Sequence, residues 1–271
     1  IDSAVWASGS KYYVDGAPIS VPVSFYENAD VTNLISELKN QSPKNNYTYF
    51  DKSIEKFVSA NRPHLREITN EAASFIRKPA EPYPEENLVV SFSGGKDSTV
   101  TADLAVRALS NPYLVHVFGD TTLEFPTTIE YAQRFRQNHP LAIFKTARND
   151  EQSFYEMADI IGPPARMMRW CCSMFKTGPI SRVFNSLYRN QSILTYYGIR
   201  KRESVSRSKY NRTEDDAESV KIQRQKVASP VFFWSDIEIW LYILGEGIDF
   251  NEAYRLGYDR VGCWCCPNNN A

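Results

Sequence analysis

The sequence lacks the segments that mark membrane and secreted proteins. None of its apolar runs reaches the roughly 18 residues of a transmembrane helix, so we expect no membrane association. Its first residues, Ile1-Asp2-Ser3, have neither the basic start nor the apolar core of a signal peptide. With a formal net charge of -1, the chain also lacks the general positive charge of proteins that coat nucleic acid, although a local basic patch is compatible with that value.

Histidine is scarce, and cysteine is confined to two short segments. The 3 histidines are widely spaced, which does not suggest a histidine metal site. The 5 cysteines form one adjacent pair and one C-x-C-C group, and this odd number does not fit the disulfide framework of a secreted domain. In a cytosolic enzyme such a pattern is more typical of a metal or redox site. We therefore expect a cytoplasmic protein.

Apolar runs and helical patterns alternate from Asn87 onward, which predicts an α/β fold. Runs with the character of strands cover the segments Leu88–Phe92, 113–118, 141–146 and Ile193–Tyr197. The helical patterns between them predict a parallel sheet with helices on both faces. Ligands bind such sheets beyond the carboxyl ends of the strands, so we expect the loops after Phe92, Phe118 and Tyr197 to converge.

The first 80 residues follow a different pattern. The stretches Lys11–Val14 and 19–23 flank Asp15-Gly16, which predicts a hairpin, and helical spacing of apolar residues follows from 31 to 78. A proline-rich stretch at 79–84 marks the domain boundary. We therefore predict an N-terminal hairpin and helical module at 1–80 and a second domain at 85–271. The polar, acidic segment 211–219 is predicted to be a mobile loop.

Residues 91–98, with the sequence S-F-S-G-G-K-D-S, have the composition of an anion site. They lie between a predicted strand and a predicted helix, whose N-terminal N–H groups and dipole favour a negatively charged ligand. Glycine allows close approach of the backbone, lysine adds a charge for phosphate, and serine adds hydroxyl donors. The spacing fits neither the Walker loop nor the G-x-G-x-x-G dinucleotide turn. The residues predicted to bind phosphate here are Ser91, Ser93, Gly94, Gly95, Lys96, Asp97 and Ser98.

Polar residues also follow two other predicted strands. Asp120 at a strand end can accept a hydrogen bond from a ribose hydroxyl or help to hold Mg²⁺. The plainer interpretation is that Asp120 and Thr121 only cap the next helix. Cations after the fourth predicted strand suit a phosphate or sulfate tail, although a solvated basic loop is the alternative. These residues are Gly198, Arg200, Arg202 and Arg207.

The two cysteine groups supply four thiolates if the chain folds back on itself. The four candidate metal ligands are Cys171, Cys172, Cys263 and Cys266. Four thiolates suit a [4Fe–4S] cluster or a structural zinc. Adjacent cysteines are awkward for tetrahedral zinc, whose ligand pairs usually have spacers, so iron–sulfur is favoured over zinc. Cys265 is then a spare thiol, either redox-active or a small buried hydrophobic residue.

Together these motifs resemble the phosphoadenosine phosphosulfate (PAPS) reductase family within the PP-loop adenine-nucleotide superfamily. The resemblance covers about Asn87 to Pro267. It rests on the segments S-G-G-K-D-S at 93–98, D-T-T-L-E-F-P at 120–126, R-W-C-C at 169–172 followed by Lys176, and G-x-R-x-x-E-S-x-x-R at 198–207. It implies a Rossmann-like doubly wound parallel sheet, the PP-loop fold, with an N-terminal appendage that is mostly helical.

The resemblance also implies what the motifs bind. By it, the loop 93–98 holds phosphate or sulfate, the segment around Asp120 lies near adenosine, and the arginines after the fourth strand contact the anionic tail. The cysteines look like the cluster ligands of the iron–sulfur sulfonucleotide reductases, and G-C-W-x-C at 262–266 also looks like the cluster motif of the DNA phosphorothioation ATP pyrophosphatases. One departure is that the reductases carry a nucleophilic cysteine in a C-terminal Glu-Cys-Gly-x-His-type motif, which this sequence does not contain.

Three functions are compatible with these observations. The first is reduction of a sulfonucleotide, PAPS or adenosine 5'-phosphosulfate (APS), to sulfite, with electrons from a thioredoxin-like or ferredoxin-like donor. The second is an ATP pyrophosphatase that uses Mg²⁺ and activates a nucleic-acid target for sulfur transfer. The third is a non-catalytic, nucleotide-sensing subunit. We favour the first, with Lys96, Asp97 and Cys265 as the catalytic residues.

Overall fold

The computed structural model describes residues 5–8, 11–14, 17–21, 27–28, 31–41, 48–189, 191–204, 207–214 and 224–267. The chain divides into two units, residues 1–60 and 61–271. This division lies within the long helix Thr48–Ala80. The predicted domain boundary at 79–84 begins where that helix ends, and it stays a prediction.

The first unit contains a three-stranded antiparallel sheet in the order β1 (Val5–Ser8), β2 (Lys11–Val14) and β3 (Ala17–Ile19). The predicted strand at β2 is present, but its partner is Ala17–Ile19 rather than 19–23. Val14 at the end of β2 pairs with Ala17 at the start of β3, so a connection of two residues joins the two strands. The predicted turn at 15–16 and residues 22–23 lie outside the described residues. Helix α1 (Val31–Gln41) follows, and α2 is the long helix Thr48–Ala80.

The second unit is built on a sheet in the order β6–β5–β4–β7–β9–β8. Its strands are β4 (Leu88–Phe92), β5 (Val115–Asp120), β6 (Ile143–Arg148), β7 (Ile193–Tyr197), β8 (Thr213–Glu214) and β9 (Gln225–Ala228). Five of them run parallel, and β8 pairs antiparallel with β9 at the edge. The four predicted strands are present, with ends shifted by up to two residues.

Strands β8 and β9 correct the sequence prediction. Strand β8 lies within the segment predicted to be a loop, of which residues 215–219 are outside the described residues. Strand β9 begins with Gln225-Lys226, which breaks the apolar pattern of a buried strand. Gln225 is nevertheless buried, because its Nε2 donates to Thr195 Oγ1 at 2.8 Å and to Tyr197 Oη at 3.2 Å on β7. A polar pair across two strands therefore replaces an apolar contact.

Helices cover both faces of this sheet. They are α3 (Lys96–Leu109), α4 (Pro126–Asn138), α5 (Phe154–Ile161), α6 (Gly178–Tyr188) and α7 (Asp236–Glu246). On one face Val89 of β4 packs with Ile180 and Phe184 of α6. On the other, Phe92 stacks on Phe135 of α4 with ring centres 4.2 Å apart. No helix in the described ranges is long and apolar enough to cross a bilayer.

The strand order reverses next to β4. Strands β5 and β6 extend the sheet from one side of β4, whereas β7 and β9 extend it from the other. A crevice forms at such a reversal, outside the carboxyl ends of the two central strands. The loop after β4 is the predicted phosphate loop, and the segment after β7 begins at Gly198. The topology therefore brings together two of the three loops that the sequence predicted to converge.

Candidate functional site

The phosphate loop joins β4 to the first turn of α3. Gly95 is the N-cap of α3 and offers no capping side chain, so the first N–H groups of the helix depend on other partners. Gly94 has a φ of +72°, and a Cβ there would lie 2.9 Å from Thr128 Cγ2. Both the backbone conformation and the available space therefore require glycine at this position.

The two serines of the loop bind each other. Ser98 Oγ accepts hydrogen bonds from the Ser93 N–H at 3.1 Å and from the Ser93 hydroxyl at 3.0 Å. Ser98 Oγ in turn donates to the Gly95 carbonyl at 2.8 Å. These hydroxyls hold the loop in shape, and they lie at the helix start where the sequence predicted them.

Lys96 is buried between the loop and the C-terminal part of the chain. Its Nζ donates to the Asp259 carbonyl at 3.0 Å, lies 3.2 Å from Asp236 Oδ1 and is 4.9 Å from the ring centre of Tyr254. The ammonium also borders a cavity of about 290 Å³, whose walls include Asp236, Trp240, Tyr254 and Tyr258. Lys96 therefore has an internal counter-ion that the sequence did not reveal.

Arg200 joins the same network from the end of β7. Its Nε donates to Asp97 Oδ1 at 2.8 Å, and its Nη2 donates to Asp236 Oδ1 at 2.9 Å. Its neighbour Gly198 packs directly on the phosphate loop, because a Cβ there would lie 2.5 Å from the Asp97 carbonyl carbon. The structure thus brings Lys96, Asp97 and Arg200 together.

The other predicted arginines lie just beyond this network. Arg207 forms an ion pair with Glu203, and burial lowers the pKa of the Arg207 guanidinium. Arg202 is exposed and has no ion-pair partner among the described residues. Ser91 lies on β4, where its side chain hydrogen-bonds to Tyr197 on the neighbouring strand. Contact of these three residues with a nucleotide stays a prediction.

Asp120 and Thr121 shape the turn after β5. Asp120 Oδ1 accepts from the Thr122 N–H at 2.8 Å, and Asp120 Oδ2 lies 3.5 Å from Arg148 Nη1. The Thr121 hydroxyl donates to Glu124 Oε1 at 2.8 Å and lies 3.3 Å from Cys263 Sγ. Burial raises the pKa of Glu124. The turn predicted to lie near adenosine is therefore linked to a cysteine segment.

The two cysteine segments adjoin one another. Cys171, Cys263 and Cys265 pack against one apolar cluster formed by Leu123, Phe154, Met157 and Phe175. Arg166 Nε, from the segment before the first cysteine pair, donates to the Pro267 carbonyl at 3.1 Å. Burial is the main cause, and the neighbouring Cys172 thiol the second, of the rise in the pKa of Cys171 to about 11. Burial also raises the pKa values of Cys263 and Cys265.

The donor chemistry of these segments fits a thiolate-bound metal group. All five cysteines are free thiols, and the N–H of Cys266 donates to the Cys263 carbonyl at 3.1 Å, which forms a tight turn between two predicted ligands. Cys263 lies near enough to Cys171 to contribute to its raised pKa. Within the described ranges, no three or more His, Cys, Asp or Glu side chains are grouped to hold one metal ion. The ligand set therefore stays a prediction.

Comparison with known proteins identifies the family. The model of the phosphoadenosine phosphosulfate reductase domain matches residues 87–269. This chain belongs to that family. An uncharacterised protein of Methanocaldococcus jannaschii is 32% identical over 86% of this chain and 47% of its own length, and a second from the same organism is 30% identical over 79% and 50%. The chain thus spans about half the length of these two relatives.

Other members of the PAPS reductase family and more distant structures are also similar. An adenosine 5'-phosphosulfate reductase of Staphylococcus epidermidis is 24% identical over 82% of this chain and 86% of its own length. The PAPS reductase of Candida auris, solved with phosphate, has a TM-score of 0.55 at 18% identity over 74% of this chain and 95% of that one. Candida glabrata FMN adenylyltransferase has a TM-score of 0.58 at 15% identity over 74% and 62%. These structures confirm the predicted PP-loop fold.

Sequence reasoning missed three residues that contact the phosphate loop. Asp236 bridges Lys96 of the loop and Arg200 after β7. Asn251 Nδ2 donates to the Gly94 carbonyl at 3.1 Å, and Tyr254 Oη accepts from the Lys96 N–H at 3.0 Å. Ser235 and Glu238 have the S-x-x-E spacing of a capping box, which places Asp236 in the first turn of α7. For Asn251 and Tyr254 the sequence carries no local signal.

Proposed function

We propose that this chain binds an adenine nucleotide at the loop 93–98 and reduces a sulfonucleotide, PAPS or APS, to sulfite. One observation carries the proposal: the segment that leads into the C-terminal thiols packs against the phosphate loop. A Cβ at Gly95 would lie 3.3 Å from Val261 Cγ2, and Cys263 follows two residues later beside Thr121. Membership of the PAPS reductase family supports the class of substrate.

In this reaction the Cys265 thiolate attacks the sulfur atom of the sulfonucleotide. A sulfur–sulfur bond forms, the bond from sulfur to the phosphate oxygen breaks, and the nucleotide leaves with that electron pair. A dithiol of a thioredoxin-like donor then attacks the Cys265 sulfur and expels sulfite. Its second thiol closes the donor disulfide and restores the Cys265 thiolate. Loop N–H groups and the nearby cations, Lys96 and Arg200, stabilise charge on the leaving phosphate.

We further propose that the remaining thiols hold a [4Fe–4S] cluster, with a structural zinc as the alternative. Its ligands would be Cys171, Cys172, Cys263 and Cys266. When bound, a cluster of this kind supplies a redox-active group and ties the two cysteine segments together. No step of the sulfur transfer described above runs through it.

The Cys265→Ser variant tests the reaction. We expect it to abolish sulfite release from APS and from PAPS, because no other thiol outside the proposed ligand set is present. Its iron content and its nucleotide affinity should equal those of the parent protein. Trp264→Phe is the matched control, since it changes an exposed neighbour of the same segment and leaves every thiol in place. Sulfite release that persists in Cys265→Ser would contradict the proposal.

A second candidate is an ATP pyrophosphatase that activates a nucleic-acid target for sulfur transfer with Mg²⁺. Unpaired positive charge favours it. Several exposed cations in the segments around the loop and the thiols have no ion-pair partner among the described residues. They are Arg166, Arg169, Lys176, Lys201 and Arg202. The exposed indole of Trp264 adds a surface on which a base can stack. Release of pyrophosphate from ATP that depends on added nucleic acid, with no sulfite from APS or PAPS, would favour this candidate.

A further inference from the structure

Residues 251–261 lie over the phosphate loop. Asn251 is fully buried, and its Nδ2 donates to the Gly94 carbonyl at 3.1 Å and to Thr128 Oγ1 at 2.9 Å. Further along, the Asp259 carbonyl accepts from Lys96 Nζ at 3.0 Å. The segment is therefore attached to the loop at its start and near its end, through partners that belong to the loop itself or to α4.

Tyr254 lies between these attachments, and its hydroxyl oxygen occupies a backbone N–H group that a bound anion would need. The Lys96 N–H belongs to the first turn of α3 and donates to Tyr254 Oη at 3.0 Å. A Cβ on Gly95 would lie 3.3 Å from the same oxygen. The first N–H groups of a helix have no partner within the helix, and they are the groups to which phosphate binds. Burial raises the pKa of Tyr254, so its hydroxyl is neutral near pH 7 and is a weaker partner than phosphate for that N–H.

The same segment leads directly into the thiols. Two residues after Val261, Cys263 forms a bridge with Glu124 and lies 3.3 Å from Thr121 Oγ1. The Trp264 N–H donates to the Leu123 carbonyl at 2.8 Å. Backbone hydrogen bonds therefore connect the chain just after the segment to the turn after β5, and Cys263 follows nine residues after Tyr254.

We propose that residues 251–261 form a displaceable cover, which a nucleotide opens when its phosphate takes the Lys96 N–H in place of Tyr254 Oη. This inference rests on the proposed nucleotide binding at the loop 93–98. Opening of the cover loosens residues 258–266 and exposes the cysteine segment to the reaction crevice. Because linkage is reciprocal, a change that weakens the cover also raises the affinity for the nucleotide.

Substitution of Tyr254 by phenylalanine removes only the hydroxyl and keeps the ring that faces Lys96. We expect Tyr254→Phe to bind ATP and inorganic phosphate about 2- to 12-fold more tightly in calorimetric titrations, which is the range for one neutral hydrogen bond. Tyr258→Phe is the matched control, because Tyr258 lines the same cavity and packs on Phe125 through its ring. It should bind as the parent protein does.

Hydrogen–deuterium exchange distinguishes a cover from an ordinary contact. With ATP bound, peptides from 91–100 should exchange more slowly and peptides from 258–266 should exchange faster. In Tyr254→Phe, the faster exchange of 258–266 should appear without ATP. Equal affinities in the two proteins, or slower exchange of 258–266 with ATP, would overturn the cover and leave nucleotide binding standing. Absence of nucleotide binding in both proteins would overturn the cover and the proposed function together.

Discussion

Replacing Asp236 by asparagine tests whether one carboxylate holds the two buried cations of the site. Asp236 Oδ1 lies 3.2 Å from Lys96 Nζ and 2.9 Å from Arg200 Nη2. The side chains of both cations are 6% exposed, whereas that of Asp236 is 58% exposed. Asparagine keeps the shape of the side chain and removes its charge. Arg200 then retains Asp97 as its counter-ion, whereas Lys96 retains the Asp259 carbonyl and the Tyr254 ring but no carboxylate among the described residues.

The expected loss of stability follows from this uneven burial. Breaking a fully buried ion pair costs about 3–5 kcal/mol, whereas an exposed pair contributes about 0–1 kcal/mol. Because Asp236 is mostly exposed and its partners are buried, the free energy of unfolding should fall by about 1–2 kcal/mol, between those limits. The same change leaves more net positive charge at the loop. Affinity for phosphate and ATP should therefore rise several-fold at low ionic strength, and less at high ionic strength.

Asp259→Asn is the matched control for this experiment. Asp259 lines the same cavity, but it binds Lys96 through its backbone carbonyl, so the substitution removes an equal charge and no ion pair within the described part of the chain. Urea unfolding gives the stability of the parent protein and both variants, and titrations with phosphate at two salt concentrations give their affinities. If Asp236→Asn and Asp259→Asn behaved alike in both measurements, the bridging carboxylate would be refuted.

Two further predictions concern the sheet. A Cβ at Gly198 would lie 2.5 Å from the Asp97 carbonyl carbon, so Gly198→Ala should lower the melting temperature and abolish nucleotide binding. Gly119→Ala is the control, because its Cβ would meet only side chains, and the nearest atom would be the end of Ile180 at 3.2 Å. Equal melting temperatures for the two variants would count against this packing. Burial lowers the pKa of His116 to about 4, so the unfolded chain binds a proton at this residue at a higher pH than the folded chain does. The free energy of unfolding is therefore unaffected by His116 above about pH 6.5, and it falls by on the order of 3 kcal/mol as the pH drops to 4. Urea unfolding at pH 7.5 and pH 5 should show a smaller loss for His116→Gln than for the parent protein, and an unchanged loss would contradict the prediction.

The central part of the fold could be predicted from local sequence. Strands β4 and β7 are apolar runs buried on both faces, and the glycines and serine that follow β4 signal a turn into a helix. Periodicity and turn chemistry therefore located the phosphate loop and the helices around it. The reversal of strand order at β4 then placed the loop beside Gly198, as expected for a doubly wound sheet.

Other parts of the site could not be predicted because their signals are not local. Gln225 is buried in β9 only because Thr195 and Tyr197 on the next strand accept its hydrogen bonds. Tyr254 lies 158 residues from Lys96 in the sequence, and its hydroxyl meets the loop only after the C-terminal segment folds over the sheet. No spacing rule connects residues this far apart.

The sequence by itself determined the family, the α/β fold and the position of the phosphate loop, because these depend on short patterns of apolar residues, glycine and charge. Tertiary structure alone decided which partners those residues have. Lys96 and Arg200 were expected to face a ligand, and the folded chain places the Asp236 carboxylate between them. The physical reason is that a buried cation requires a counter-charge, and the residue that supplies it is chosen by packing rather than by proximity in sequence.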